Sequence, residues 1–238
     1  MQLLQLLREQ STQTYLFAVG DDGQAIYRFP LAKLNLMASF EHYFSQGVYC
    51  TLDTTYCFND HRAKIASQFI QMDPEQRIRP LKSFFKANKK SIVLLPAEQL
   101  ENLLDKMSGY VTEKETILIL SRYFYLQPAV IKKANTRWPK LNINFIPIQA
   151  AKGCQADYVI ILGLDHGING FPVCEPESAI EKVLLSKSNI FPNLQDRRLL
   201  YVALTRAKKQ VYLLYDKLTP SIFVEQLKKL GVSQQKRA

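Results

Sequence analysis

The sequence predicts an α/β fold in which a parallel sheet is flanked by helices, and three observations carry that prediction. Short, almost wholly apolar runs recur along the chain: Tyr15–Val19 (YLFAV), Ser91–Leu95 (SIVLL), Ile117–Leu120 (ILIL), Ile143–Ile148, Tyr158–Leu162 and Val211–Tyr215 (VYLLY). Runs of that length without polar alternation suit strands buried on both faces. Segments with helical apolar spacing lie between several of them, and strands alternating with helices at this interval build βαβ units. The third observation is the stretch Gln195–Lys209 (QDRRLLYVALTRAKK). At about 100° per residue, Leu199, Leu200, Ala203, Leu204 and Ala207 share one broad face while Arg198 and Thr205 lie opposite, so a helix is expected to bury leucines and hold out Arg198.

Composition bounds the function. The chain of 238 residues is long enough for a full core, and 47% hydrophobic against 22% charged residues excludes a disordered chain. Lys plus Arg outnumber Asp plus Glu by 31 to 21, a net charge of +10 that favours a polyanionic partner. Cys50, Cys57, Cys154 and Cys174 show no CxxC spacing and no clustered histidines, so free thiols in a reducing cytoplasm are expected rather than a zinc site. No apolar run approaches the ~20 residues of a membrane span, and Arg8 and Glu9 interrupt the apolar N-terminus.

In chain order, Leu3, Leu4, Leu6 and Leu7 mark a short helix, and the Tyr15–Val19 strand runs into the polar turn Gly20-Asp21-Asp22-Gly23-Gln24. A helix from about Ala63 ends before Asp73-Pro74, and Lys86, Lys89 and Lys90 read as a solvated basic surface. Helices follow near Glu98–Met107 and Pro128–Ala134. Lys152-Gly153 places a charge beside a residue without a side chain, a pairing that lets backbone amides approach a phosphate, and it leads into the buried Tyr158–Leu162 strand. Cys174–Asn193 reads as a surface excursion. After Val211–Tyr215, Thr219-Pro220-Ser221 starts a last helix through Phe223, Leu227 and Leu230, stopped by Gly231.

Four stretches, VGDDGQAIYRF, LDTTYCFN, IPIQAAKGCQADYVIILGL and RRLLYVALTRA, resemble in order motifs III, IV, V and VI of the UvrD-like (superfamily one) DNA helicases, and are most similar to their helicase IV branch. The resemblance implies a RecA-like second motor domain at residues 46–232, preceded by a remnant of the first RecA-like domain at 1–45 and followed by a frayed tail at 233–238. It further implies that Gln24 meets the γ-phosphate or attacking water, that Tyr56 stacks on adenine, that Gln155 meets the nucleotide sugar and that Arg198 is the arginine finger. DNA contact is implied for Phe29, Gln149, Lys152 and Gly153. The chain departs from the family pattern at Pro30, at Cys57, where a second phosphate-binding arginine is usual, and at Pro147 and Gln149, where threonine and histidine are usual. A cysteine lacks the fixed fork of donors that suits a phosphate.

No GxxxxGK[ST] occurs, nor an apolar strand ending in Asp-Glu. The resemblance therefore implies the C-terminal part of a 3′-to-5′ helicase, with ATP and Mg2+ bound only by the complete two-domain enzyme and no hydrolysis by this chain alone. Its partners would be single-stranded DNA and the N-terminal helicase half. The alternative is a standalone basic module that binds single-stranded DNA or a helicase partner without catalysis. In either case Met1 to about Phe40 is expected to pack poorly, to dock on the second domain in a way unlike the family, or to mediate self-association, because the sheet to which its strand would belong is not otherwise present.

Overall fold

The computed structural model describes residues 2–10, 14–26, 40–44, 47–72, 81–87, 90–173 and 193–234. In chain order these form α1 (Gln2–Glu9), a short 3-10 turn (Asp22–Gln24), α2 (Phe40–Phe44), β1 (Thr54–Thr55), α3 (Asp60–Ile70), β2 (Lys82–Ser83), β3 (Ile92–Pro96), α4 (Leu100–Tyr110) and β4 (Thr116–Ser121). The chain continues through α5 (Ala129–Lys132), α6 (Ala134–Arg137), β5 (Asn142–Pro147), β6 (Ala156–Ile161), α7 (Leu194–Leu204), β7 (Ala207–Tyr215) and α8 (Ile222–Lys229).

The expected α/β architecture is what forms. Five parallel strands pair in the order β3-β7-β6-β4-β5, while β1 and β2 make a separate parallel pair. Because successive strand residues face opposite sides, Ile92 and Leu94 enter one core with Val159, Ile161, Val211 and Leu213, under α3, α7 and α8. Val93, Leu95, Ile117, Ile119 and Ile160 enter the other, where Leu104 and Met107 of α4 and Trp138 close it. Val159, Ile160 and Ile161 are fully buried, and each such side chain contributes ~1.5–3 kcal/mol. That two-sided burial is the reason the strand sequences show no polar alternation.

Local chemistry sets the ends. Asn59 caps α3 by accepting from the backbone N–H of Arg62 at 3.1 Å. α8 closes at Gly231, whose φ of +89° permits the paired bonds Val232 N–H to Leu227 O and Gly231 N–H to Lys228 O. The tail then does not fray at once: Leu94 N–H donates to Ser233 O at 3.2 Å, so Ser233-Gln234 shields the outer edge of β3.

Three expectations are corrected. Tyr15–Val19 is not a strand: among the described residues nothing pairs with it, and Tyr15, Phe17 and Val19 are 95%, 89% and 78% exposed. The Pro128–Ala134 helix is broken at Lys133 (φ −108°) into α5 and α6. The helix expected over Gln195–Lys209 ends at Leu204, because Ala207 is already paired with Ala156 in the sheet. Spacing alone does not separate a helical Ala207 from a strand Ala207.

His61, on the first turn of α3, lies 3.4 Å by its Nδ1 from Ser91 Oγ. Burial, with Lys90 and Arg62 adding, lowers its pKa below the ordinary 6.5, against the pull of Asp60. The unfolded chain thus binds this proton more readily than the folded one, so the stability contribution is complete above about pH 6.5 and is lost as pH falls through the depressed folded value. Thermal unfolding of His61→Gln is expected to show a flatter pH dependence below 6.5 than the parent; matching slopes would assign the dependence to other groups.

Candidate functional site

The site is built where β6 and β7 begin. Ala156 pairs with Ala207, and Ala156 N–H donates to Arg206 O at 3.1 Å, so the residues just before the two strands, Gln155 and Arg206, are brought side by side. α7 delivers Arg206 by stopping one turn short. Thr205 Oγ1 donates to Val202 O at 2.8 Å and Arg206 Nε donates to the same carbonyl at 3.0 Å, adding to the backbone bonds that close the end of the helix. Arg206 Nη2 donates to Thr205 Oγ1 at 2.9 Å, which fixes the guanidinium plane. Burial lowers its pKa, while Tyr201, Cys57, Cys154 and Asp21 lie within electrostatic reach and favour its charge.

The polar turn after the N-terminal extended segment docks on this edge. Asp21 accepts from Gly23 N–H at 3.0 Å and from Gln24 Nε2 at 2.7 Å, closing the 3-10 turn. Gly23 is the point of closest approach: a Cβ there would lie 3.1 Å from the Tyr201 ring of α7. Lys152 Nζ donates to Gln24 O at 2.9 Å, and Gln195 Nε2 donates to Ile26 O at 3.4 Å. The turn is thus held by the loop before β6 and by both ends of α7.

A third loop completes the edge. Gln155 Nε2 lies 3.2 Å from Cys57 Sγ, bringing the Tyr56-Cys57 pair to the same side. Tyr56 is 65% exposed and its ring centroid stands 5.2 Å from that of Phe84. The geometry therefore gathers two cations, Arg206 and Lys152, two amides, Gln24 and Gln155, and an exposed aromatic ring. Cations and amides suit an anionic oxygen cluster, and an exposed ring suits a planar base.

Of the residues singled out from sequence, Gln24, Tyr56, Lys152 and Gln155 converge here, with Gly153 (φ +85°) beside Lys152. Gln149 is the half-buried second residue of the turn Ile148–Ala151, where the chain leaves β5. Phe29, with Pro30, lies outside the described residues. Arg198, expected to be held out in solvent, is 5% exposed, engaged within the fold and roughly 9 Å along the helix from Leu204. It is not held out because α7 is enclosed on every side, by the sheet, by α3 and by the docked turn. Its neighbour Arg197 is likewise internal, donating to Phe69 O at 3.0 Å and to Gln226 Oε1 at 2.8 Å. Arg206, in the same stretch of sequence, is an arginine at this edge that the sequence reading did not single out, because that reading carried the helix past it.

Residues 33–217 match the family model of the UvrD-like helicase C-terminal domain, and residues 1–45 match that of the UvrD/REP helicase N-terminal domain. The chain belongs to the UvrD-like helicase family. Among curated proteins, this UvrD-like chain is 52% identical over 230 residues to DNA helicase IV of Escherichia coli (strain K12), covering 97% of the chain and 34% of that protein. It is also 35% identical over 97 residues to a probable DNA helicase II homolog of Mycoplasma capricolum, covering 37% of the chain and 12% of that protein. The chain thus spans about a third of the length of helicase IV. Among solved structures, the C-terminal domain of a possible DNA helicase from Lactobacillus plantarum WCFS1 aligns at 14% identity with a TM-score of 0.46, covering 76% of the chain and 99% of that structure.

Among the described residues no helix is long and apolar enough to cross a membrane, and no group of three or more His, Cys, Asp or Glu is placed to hold a metal ion.

Proposed function

We propose that this chain is the second motor domain, with a piece of the first, of an ATP-dependent 3′-to-5′ DNA helicase or translocase. The observation that carries the reading is the docked Asp21–Gln24 turn, which Lys152 and α7 hold on the edge where Arg206 and Gln155 emerge. Sequence matching the N-terminal helicase domain thereby meets sequence matching the C-terminal one at a cluster of phosphate-type donors. The residues fit a nucleotide: Arg206 brings a fork of donors to anionic oxygens, Gln24 orients a γ-phosphate or a water, Gln155 reaches the sugar and Tyr56 offers its ring to the base. ATP bound with Mg2+ would supply the energy of translocation. The magnesium ligands and the phosphate loop would come from sequence beyond these motifs, so this chain by itself is expected to hydrolyse no ATP. Cys57, standing where a second phosphate arginine is usual, favours the alternative of a non-catalytic module that binds single-stranded DNA.

The test is single-stranded DNA binding by the purified chain, followed by fluorescence anisotropy across a salt series. Affinity is expected to fall with a log–log slope of ~0.7 per phosphate contacted. Phe29→Ala is expected to weaken binding about tenfold, within the ~1–3 kcal/mol of a lost base stack. Undetectable binding at low salt would overturn DNA contact by this chain. Binding without detectable ATP hydrolysis when the chain is joined to a phosphate-loop domain would favour the non-catalytic module.

A further inference from the structure

The base-binding reading of Tyr56 leaves its neighbour unexplained. β1 and β2 are only two residues each, in parallel register with Thr54 opposite Lys82 and Thr55 opposite Ser83. The next positions in that register are Tyr56 and Phe84, which bring two rings together outside the main sheet. Their centroids are 5.2 Å apart with planes inclined by 32°, and both side chains are 65% exposed. Phe85 stands edge-on to Phe84 at 5.4 Å. Three exposed aromatics around two dipeptide strands do little for the core, since neither Tyr56 nor Phe84 belongs to either buried cluster.

The backbone around Phe84 is well anchored. Lys82 N–H donates to Asp53 O at 2.7 Å, Phe84 N–H to Thr55 O at 3.0 Å and Asp60 N–H to Phe85 O at 2.9 Å. The last of these ties the segment to the start of α3, whose N-terminus is itself capped by Asn59. Tyr56 lies on bends between β1 and α3, where Cys57 N–H donates to Thr55 Oγ1 at 3.2 Å and Ser83 Oγ donates to Phe58 O. The exposed Tyr56 ring, outside regular structure, thus stands beside the Phe84 ring of an anchored backbone, an arrangement in which the second fixes the first.

We infer that Phe84 is a positioning residue for the nucleotide base: its ring supports one side of Tyr56 and leaves the other side open to adenine. This rests on the nucleotide reading above. Holding the Tyr56 ring in its stacking orientation before the base arrives lowers the ordering cost of binding, and aromatic pairs favour offset or tilted contacts at this separation. Phe84 therefore acts through Tyr56 and does not itself touch the base.

The experiment is a titration of the chain, joined to a phosphate-loop helicase domain, with ADP to millimolar concentration, read by saturation transfer from protein to the adenine H2 and H8 protons. Phe84→Ala is expected to weaken adenine binding about two- to tenfold, the range of one aromatic pair contact, with Phe84→Tyr restoring it. Tyr56→Ala removes the adenine signal beyond that, and Tyr56→Ala/Phe84→Ala is expected to be no weaker than Tyr56→Ala alone, since a residue that works only through another adds nothing once the other is gone. Phe84→Ala with parent affinity, or a double variant weakened by the product of the two single effects, overturns the positioning role while leaving Tyr56 as the base-stacking residue. Tyr56→Ala with parent affinity, or no transfer to adenine from the parent chain, refutes the base-stacking reading itself and the role of Phe84 with it.

Discussion

Arg206→Ala is expected to lower ATP hydrolysis by ~10³-fold or more, the scale of a removed arginine finger, once the chain is joined to a phosphate-loop helicase domain. The folded state should survive. Arg206 is half-buried and its structural work is to donate to Val202 O and Thr205 Oγ1 at the end of α7, a helix-end contribution of ~1 kcal/mol. Arg206→Lys keeps a charge but loses the planar fork, so it should recover only part of the rate. Arg198→Ala should behave in the opposite way: it empties a site that is 5% exposed, lowers the thermal midpoint and affects hydrolysis only as far as folding is lost. The measurement is steady-state hydrolysis beside thermal unfolding for each variant. A rate collapse in a fully folded Arg198→Ala protein, with Arg206→Ala near normal, would return the finger role to Arg198.

That contrast shows where the sequence was legible. The parallel sheet was readable because burial on both faces demands apolar residues at every position, and Val159–Ile161 and Val211–Leu214 supply them. The parts of the site that converge, Gln24, Tyr56, Lys152 and Gln155, lie in short loops whose residue types announce themselves, and strand register then brings the loops together. Arg198 was expected in solvent and is buried for a physical reason. An amphipathic pattern says which face of a helix is apolar but not whether the other face is also covered, and on α7 it is. The end of α7 was hidden because Ala207 satisfies both a helical and a strand pattern; long-range pairing with Ala156 decides it. Tyr15–Val19 has a buried strand's composition, yet composition cannot provide a neighbouring strand.

Arg62→Ala is expected to be the most damaging of the single substitutions to the fold itself. Arg62 is fully buried on α3 and donates through Nη2 to Lys209 O at 2.7 Å and through Nη1 to Ala207 O. These two carbonyls need a side chain because of register. β3 joins β7 only from Ile92 opposite Val211 onward, so the first residues of β7 extend beyond their neighbour, and the carbonyls of Ala207 and Lys209 face the gap that α3 fills. Burial pushes the guanidinium pKa down to about 10, which still leaves it charged at neutral pH, and the Phe58 ring lies 5.7 Å away. Alanine would take this donor from the buried Ala207 carbonyl and the part-buried Lys209 carbonyl, at up to ~1–3 kcal/mol each, besides leaving a cavity. A loss of roughly 4 kcal/mol is a large share of the ~5–15 kcal/mol that holds a domain together, and corresponds to a fall in thermal midpoint on the order of 10 °C. Arg62→Lys should fall between, since one ammonium can meet one carbonyl well but not both in a fixed fork. Because Ala207 directly follows Arg206, loosening this start of β7 should also weaken nucleotide contacts at temperatures where the domain remains folded. An Arg62→Ala protein with the parent's midpoint would mean that water satisfies both carbonyls and that α3 is held to the sheet by its apolar face alone.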